Sequence, residues 1–263
     1  MPFEVQIKPS VVLKQVPLWS SRATRQVDIM SGDLARVILI AGVSGGIGGA
    51  CARALAGCTV VTADLPEVDV TQPGAADEIV RHVIDKHGSL HGVVHAVGMS
   101  GRRLGDGPLP TCSDDAWSEV IRVNLTSVFW LMRAALPAVA DSGGGSFVSI
   151  GSVLGDSLHP DFLTTAYSAS KMGLVGLTRA AALSMADRNV RVNIVAPAVT
   201  DTAMASRAVS SPDIRAALNA LMPLGKGPLD ALDVANAVAW LLSDQAKRIT
   251  GTTITVDGGW SLR

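Results

Sequence analysis

From Arg36 onward the chain alternates short β-branched apolar runs with longer alanine-rich stretches, and this alternation restricts the possible fold more than any other feature. The runs are VILIA (37–41), TVVTA (59–63), GVVHAV (92–97), SFVSI (146–150), VRVNIV (190–195) and TTITV (252–256), with a short extra one at 68–70. Stretches of helical period cover 47–56, 75–86, 114–139, 166–186 and 231–242. Strands apolar on both faces, each followed by a helix, pack as a parallel sheet with helices on either side. We therefore expect one α/β domain over 34–263, a doubly wound parallel sheet of about seven strands. Residues 1–33 stand outside the pattern, because Pro2, Pro9 and Pro17 interrupt a stretch that fits neither a helix period nor a long strand. They read as an N-terminal extension: either an arm packing on a neighbouring subunit or residues upstream of an internal start at Met30.

The first strand runs directly into AGVSGGIGGA and then into a helix. Gly42, Gly46 and Gly48 allow close approach to the backbone, Ser44 and Ile47 share the turn, and a helix N-terminus offers unpaired N–H groups and positive dipole to a pyrophosphate. With Asp64 closing the second strand, the unit reads as a Rossmann-type dinucleotide site. A plain tight turn and a solvated strand-end acid are the alternatives. Asp64 is placed to accept hydrogen bonds from ribose hydroxyls. It would repel a 2′-phosphate by about 4 kcal/mol per pair of unit charges. No Arg or Lys replaces Ser44 or Gly45 to meet such a phosphate. NAD is the expected cofactor and NADP the less favoured one.

Charge narrows the partners. The chain carries 22 basic and 23 acidic side chains without a long run of Lys or Arg, so nothing suggests a surface that tracks the phosphates of a nucleic acid. A small, neutral ligand suits it better. Cys51, Cys58 and Cys112 form neither a CxxC nor a Cys/His cluster; no metal site is expected, and the odd count argues against a disulfide framework. A reducing cytoplasm follows as the expected location. No uninterrupted apolar run approaches the roughly 18–20 residues that span a bilayer, and no membrane partner is expected.

In AYSASK, Tyr167 and Lys171 are four residues apart and share one helix face. A free tyrosine has a pKa near 10; a neighbouring ammonium and an oxidised nicotinamide both favour phenolate, so Tyr167 is expected to exchange a proton near neutral pH. Taken alone, the pair also fits a boundary aromatic and a solvated lysine.

AGVSGGIG, the GSV triplet with Ser152, YSASK, the Val123–Asn124 pair and the closing TGTTITVDGGW together resemble the classical short-chain dehydrogenase/reductase family over about 34–263. The resemblance implies an oxidoreductase acting on CH–OH groups. Ser152 would hold the substrate oxygen and Tyr167 would transfer its proton. Lys171 would bind ribose and lower the tyrosine pKa, and Asn124 would support a proton-relay water. It also implies that Asp69 and Val70 meet adenine, that Thr202 meets the carboxamide, and that Ala96, Gly98, Pro197 and Val199 line the cofactor site. A homotetramer or homodimer, built through the helices over 114–139 and 166–186, is expected on the same ground. Three departures stand out: Ala41 for a threonine, His95 for an asparagine, and Ala198 for a glycine. His95 reads as a structural histidine, with a catalytic base as the alternative.

The 64–69 stretch is too short for the usual crossover helix, so the adenine side should be open. Specificity should lie in 100–109, 153–166 and 197–223. There His159 and Phe162 would wall the pocket, and Arg102 and Arg103 would either meet an anionic substrate or be solvated loop charges. Three functions remain: an NAD-dependent alcohol or cis-diol dehydrogenase, a 3-oxoacyl or polyketide-type ketoreductase, and a non-catalytic dinucleotide-binding regulatory protein.

Overall fold

The computed structural model describes residues 36–263; the extension at 1–33 lies outside the described residues. Among the described residues six strands form one sheet: β1 (Val37–Ala41), β2 (Thr59–Ala63), β3 (Gly92–His95), β4 (Gly145–Ile150), β5 (Val190–Pro197) and β6 (Thr253–Val256). Their order is β2-β1-β3-β4-β5-β6 and every neighbouring pair is parallel. From β1 the chain steps out to β2 and then crosses back over β1 to β3. The reversal of winding between β1 and β3 opens a crevice at their carboxyl ends, where such folds take their ligands.

Among the described residues eight α-helices accompany the sheet: α1 (Gly46–Ala54), α2 (Ala75–His87), α3 (Asp114–Ile121), α4 (Ser127–Asp141), α5 (Thr165–Met185), α6 (Ser206–Ser210), α7 (Pro212–Leu221) and α8 (Ala231–Leu242). Side chains alternate across each strand, so both faces of the apolar runs are used. Ile38, Ile40 and Val94 pack with Ala50 of α1 and Val234 and Val238 of α8. On the opposite face Leu39, Val93 and Phe147 pack with Val80 of α2, Leu131 of α4 and Leu174 of α5. Each fully buried leucine or isoleucine there contributes roughly 1.5–3 kcal/mol. A third, smaller cluster joins Val153, Phe162, Ala198, Ala208, Leu218, Met222 and Trp260, all from segments that follow the carboxyl ends of β4, β5 and β6.

Two expectations change. The run at 68–70 is not a strand, and the sheet has six strands instead of about seven. The Asp69 carboxylate accepts from the Thr71 N–H at 3.0 Å and the Gln72 N–H bonds the Asp69 carbonyl at 3.0 Å, so the chain turns there and leaves β2 as the sheet edge. Val70 is buried in the core all the same. The helix expected over 114–139 runs on to Asp141, but a π turn at Arg122–Thr126 divides it into α3 and α4. An 18-residue window of this 28-residue stretch has a mean hydropathy of 1.3, so by length and composition it could cross a membrane. Half of that window is buried within the fold, where it packs as a core helix.

Candidate active site

The crevice has a cofactor-shaped half built on the turn between β1 and α1. Gly45 caps α1 without any side-chain hydrogen bond, and no acidic residue lies in the first helical turn. The positive end of the helix is bare. A Cβ at Gly48 would stand 2.0 Å from the Gly42 carbonyl oxygen, and one at Gly46 would stand 2.5 Å from Thr202 Cγ2. Gly42 itself sits at φ +90° against the Ala96 main chain, a conformation that side chains disfavour. The Ser44 N–H donates to the Asp64 carboxylate, which also accepts from the Leu65 N–H at 3.0 Å, so the glycine turn is tied to the end of β2. A bare turn, an uncapped helix end and an adjacent carboxylate fit a nicotinamide dinucleotide.

The remaining cofactor-side residues frame this turn. The Ala96 N–H bonds the Ala41 carbonyl at 2.8 Å, so the strand ends are joined through the main chain where Ala41 has no hydroxyl to offer. Ile47 packs on the α1–α8 core. At Gly98, an added Cβ would lie 3.3 Å from Asn124 Oδ1 and 3.6 Å from Lys171 Nζ, so the glycine brings the main chain close against both side chains. Pro197 closes β5 opposite Val256, and the Val199 carbonyl accepts from the Leu229 N–H at 2.9 Å. Asp69 turns inward: burial pushes its carboxyl up, but bonds from Thr71 and Gln72 outweigh this and hold it below its ordinary value. Outside the turn a cleft of about 600 Å³ is lined by Ser44 and Gly46 together with Arg53, Asp201 and Asp230, three residues that the sequence does not single out.

Ser152, Tyr167, Lys171 and Asn124 come together at the carboxyl ends of β3 and β4. Ser152 follows β4, with its Oγ accepting from the Leu154 N–H at 3.2 Å, and its hydroxyl lies against that of Tyr167. Lys171 Nζ stands 5.6 Å from the centre of the Tyr167 ring and donates to the Ile150 carbonyl at 2.8 Å. Burial pushes the Lys171 ammonium down to about 8. Burial also pushes the Tyr167 phenol above its ordinary value, opposed by the Ser152 hydrogen bond. Asn124 lies in the π turn, fully buried; its carboxamide accepts from the Met99 N–H at 2.8 Å and donates to the Met99 carbonyl at 2.9 Å and to Ser170 at 3.2 Å. It stitches the loop after β3 to α5.

His95 is buried at the end of β3. Burial, with the Lys171 charge beside it, pulls its imidazole down to about 3. Because Ser127 Oγ donates to the Val123 carbonyl at 2.6 Å, His95 Nε2 is the donor in their 3.0 Å bond.

On the substrate side, Phe162 is buried with its ring centre 5.2 Å from that of Trp260, while Trp260 Nε1 donates to the Ser157 carbonyl at 3.0 Å. Arg103 is exposed and Arg102 half-buried. Burial, and then the nearby Arg207 charge, push Arg102 below its ordinary value. Arg207, unremarked in the sequence, bonds the Asp161 carbonyl at 3.3 Å and ties α6 to the wall segment. Asp106 was also missed: it is buried, and its carboxylate meets the first turn of α5. Among the described residues no three His, Cys, Asp or Glu side chains converge as metal ligands do.

Fold and site together describe a dinucleotide-binding oxidoreductase of the α/β class. The family model described as enoyl-(acyl carrier protein) reductase matches residues 52–261. Over 250 residues the chain is 30% identical to the 2,5-dichloro-2,5-cyclohexadiene-1,4-diol dehydrogenase LinX of Sphingobium indicum, covering 86% of this chain and 96% of that one. It is 33% identical over 244 residues to the 3-oxoacyl-[acyl-carrier-protein] reductase FabG of Escherichia coli, covering 85% and 96%. The ligand-free aldohexose dehydrogenase AldT of Thermoplasma acidophilum has a TM-score of 0.79 at 29% identity, covering 90% of this chain and 96% of that one. This chain belongs to the short-chain dehydrogenase/reductase family.

Proposed function

We propose that the protein is an NAD-dependent dehydrogenase that interconverts a secondary alcohol, of simple or cis-diol type, and its ketone. The carrying observation is the Lys171 ammonium 5.6 Å from the centre of the Tyr167 ring, with the Ser152 hydroxyl against the phenol. In oxidation, Ser152 holds the substrate oxygen and Tyr167 removes the hydroxyl proton as the C–H bond breaks. The dinucleotide, when bound, accepts the hydride. Lys171 would hold ribose, Asn124 would keep the Met99 main chain and Ser170 in place beside a proton-relay water, and Gly42, Ser44, Gly46, Ile47 and Gly48 would cradle the pyrophosphate. Asp64, Asp69, Val70, Ala96, Gly98, Pro197, Val199 and Thr202 would complete the cofactor site.

The preference for NAD rests on Asp64, whose carboxylate at the edge of the glycine turn suits two ribose hydroxyls and repels a phosphate. The likeness to FabG supports the second reading, a 3-oxoacyl or polyketide-type ketoreductase. One panel separates the two: cyclic and acyclic secondary alcohols with NAD against 3-oxoacyl thioesters with NADPH, each with wild type and Tyr167→Phe. Tyr167-dependent alcohol oxidation with NAD is the expected result; turnover confined to thioesters and NADPH would move the assignment, and none at all would favour a binding protein. The free thiols at Cys51, Cys58 and Cys112 support a cytoplasmic setting. Exposed Trp117, Phe129, Met172 and Leu183 on α3, α4 and α5 support a homotetramer or homodimer, and light scattering that shows only a 27.2 kDa species would refute it.

A further inference from the structure

The helix that carries Tyr167 has no cap of its own. Thr164 precedes α5 in extended conformation, and its side chain makes no capping bond; its hydroxyl bonds the Phe162 carbonyl at 3.3 Å. An α-helix leaves the N–H groups of its first turn without internal partners. Here those of Thr165, Ala166 and Tyr167 are all taken by one loop about sixty residues upstream. The Thr165 N–H bonds the Gly107 carbonyl at 3.0 Å, the Ala166 N–H bonds Asp106 Oδ1 at 3.0 Å, and the Tyr167 N–H bonds Asp106 Oδ2 at 3.0 Å. The Ser168 N–H then opens the regular helical ladder on the Thr164 carbonyl.

The loop is held for this task. Asp106 is only 5% exposed, and its own N–H bonds the Gly101 carbonyl at 3.1 Å. Gly101 lies at φ +71°, and a Cβ there would meet Val120 Cγ2 at 2.4 Å, so the loop passes α3 with no room to spare. Ser113 fastens the other side, donating to the Leu104 carbonyl at 2.6 Å while capping α3. A buried carboxylate is costly without partners, and here two backbone N–H groups and the positive end of a 21-residue helix supply them.

We propose that Asp106 is a positioning residue for proton transfer, standing in for the missing cap of α5 and fixing the turn from which Tyr167 reaches Ser152. The inference rests on Tyr167 being the proton-transfer group. Lys171 sits one turn further on and is held separately by the Ile150 carbonyl, so dinucleotide binding should survive the loss of Asp106 while the chemical step suffers.

Tyr167 is the only tyrosine in the chain, so tyrosinate absorbance reports it directly, without cofactor or substrate. Ser152 and Lys171 stand against the Tyr167 side chain, Asp106 accepts from its N–H, and Asp106 in turn is faced by Arg102 and by Cys112 Sγ at 3.6 Å. The experiment compares wild type, Asp106→Asn, Asp106→Ala and Thr165→Ala. The last removes only the 2.8 Å bond from the Thr165 hydroxyl to the Gly107 carbonyl and serves as control. Asp106→Asn keeps the shape but leaves the helix end unneutralised, which favours phenolate, and should lower the Tyr167 titration midpoint by about half a pH unit. In Asp106→Ala the amides of 165–167 should exchange with deuterium about fivefold faster, with the rest of α5 unchanged. Under turnover, kcat should fall about tenfold to a hundredfold, with NADH affinity close to wild type. Thr165→Ala should match wild type in titration and kcat.

Unmoved titration and exchange in the Asp106 variants would overturn the proposal. So would a loss of kcat that only follows the fraction of folded protein. If Asp106→Ala does not fold, Asp106→Asn carries the test through the titration. Wild type without turnover on any alcohol would refute the functional reading, while titration and exchange would still decide the role of Asp106.

Discussion

Two helix N-termini meet the same crevice, and they are finished in opposite ways. α1 begins on Gly45 with no side-chain acceptor and no acid in its first turn. α5 also lacks a cap and an early acid of its own, yet Asp106 fills its end with a buried carboxylate. A helix end already holding an internal anion cannot take one from a ligand, whereas a bare end can. The same local physics thus serves binding in one place and alignment in the other. Which is which depends on a residue far away in sequence.

The largest expected effect bears on the filled end. Tyr167→Phe should cut turnover by about 10³-fold or more while leaving NADH binding intact; wild-type-like rates in the steady state would show that α5 aligns nothing chemical. Next comes the bare end. Gly48→Ala places a methyl on the Gly42 carbonyl and should weaken NADH, followed by fluorescence titration, on the order of a hundredfold, or about 3 kcal/mol. If binding is unchanged, α1 does not face the pyrophosphate. Asp64→Ser should then shrink the preference for NAD over NADP about tenfold in kcat/KM, as one carboxylate's bonds and repulsion are lost. The smallest effect is a titration. Ser152 is the group that pulls the Tyr167 phenol down against burial. Removing it in Ser152→Ala should raise the midpoint, leave less phenolate at any given pH and move the rising arm of alcohol oxidation to higher pH. A midpoint that falls or stays would show that the Ser152–Tyr167 bond does not govern the ionisation.

Much of the bare end was legible in the sequence, because its parts are neighbours there. The run VILIA, the glycines and the following helix are contiguous, and Asp64 closes the very next strand. Tyr167 and Lys171 were legible for the same reason, four residues apart on one helix. The filled end was not. SGRRLGDGPL was read as a specificity loop with its arginines in view, yet the residue that the fold uses there is Asp106, whose partners lie some sixty positions away and carry no side-chain signal. An amide N–H looks alike at every position. The extra strand at 68–70 misled because Val68 and Val70 alternate as strand residues do; the side chain of Asp69 between them closes a turn instead. The π turn at Asn124 was hidden by an unbroken helical period on both sides.

The apolar cluster around Trp260 has a consequence for how such a protein can change. It draws Val153, Phe162, Ala208, Leu218 and Met222 onto one another, and shares none of its buried members with the two layers that cover the sheet. Mutations in this patch can therefore reshape the mouth of the site while the frame that folds the chain is left alone. A lineage, or a directed-evolution library confined to these positions, can trade one molecule for another without renegotiating the rest of the architecture.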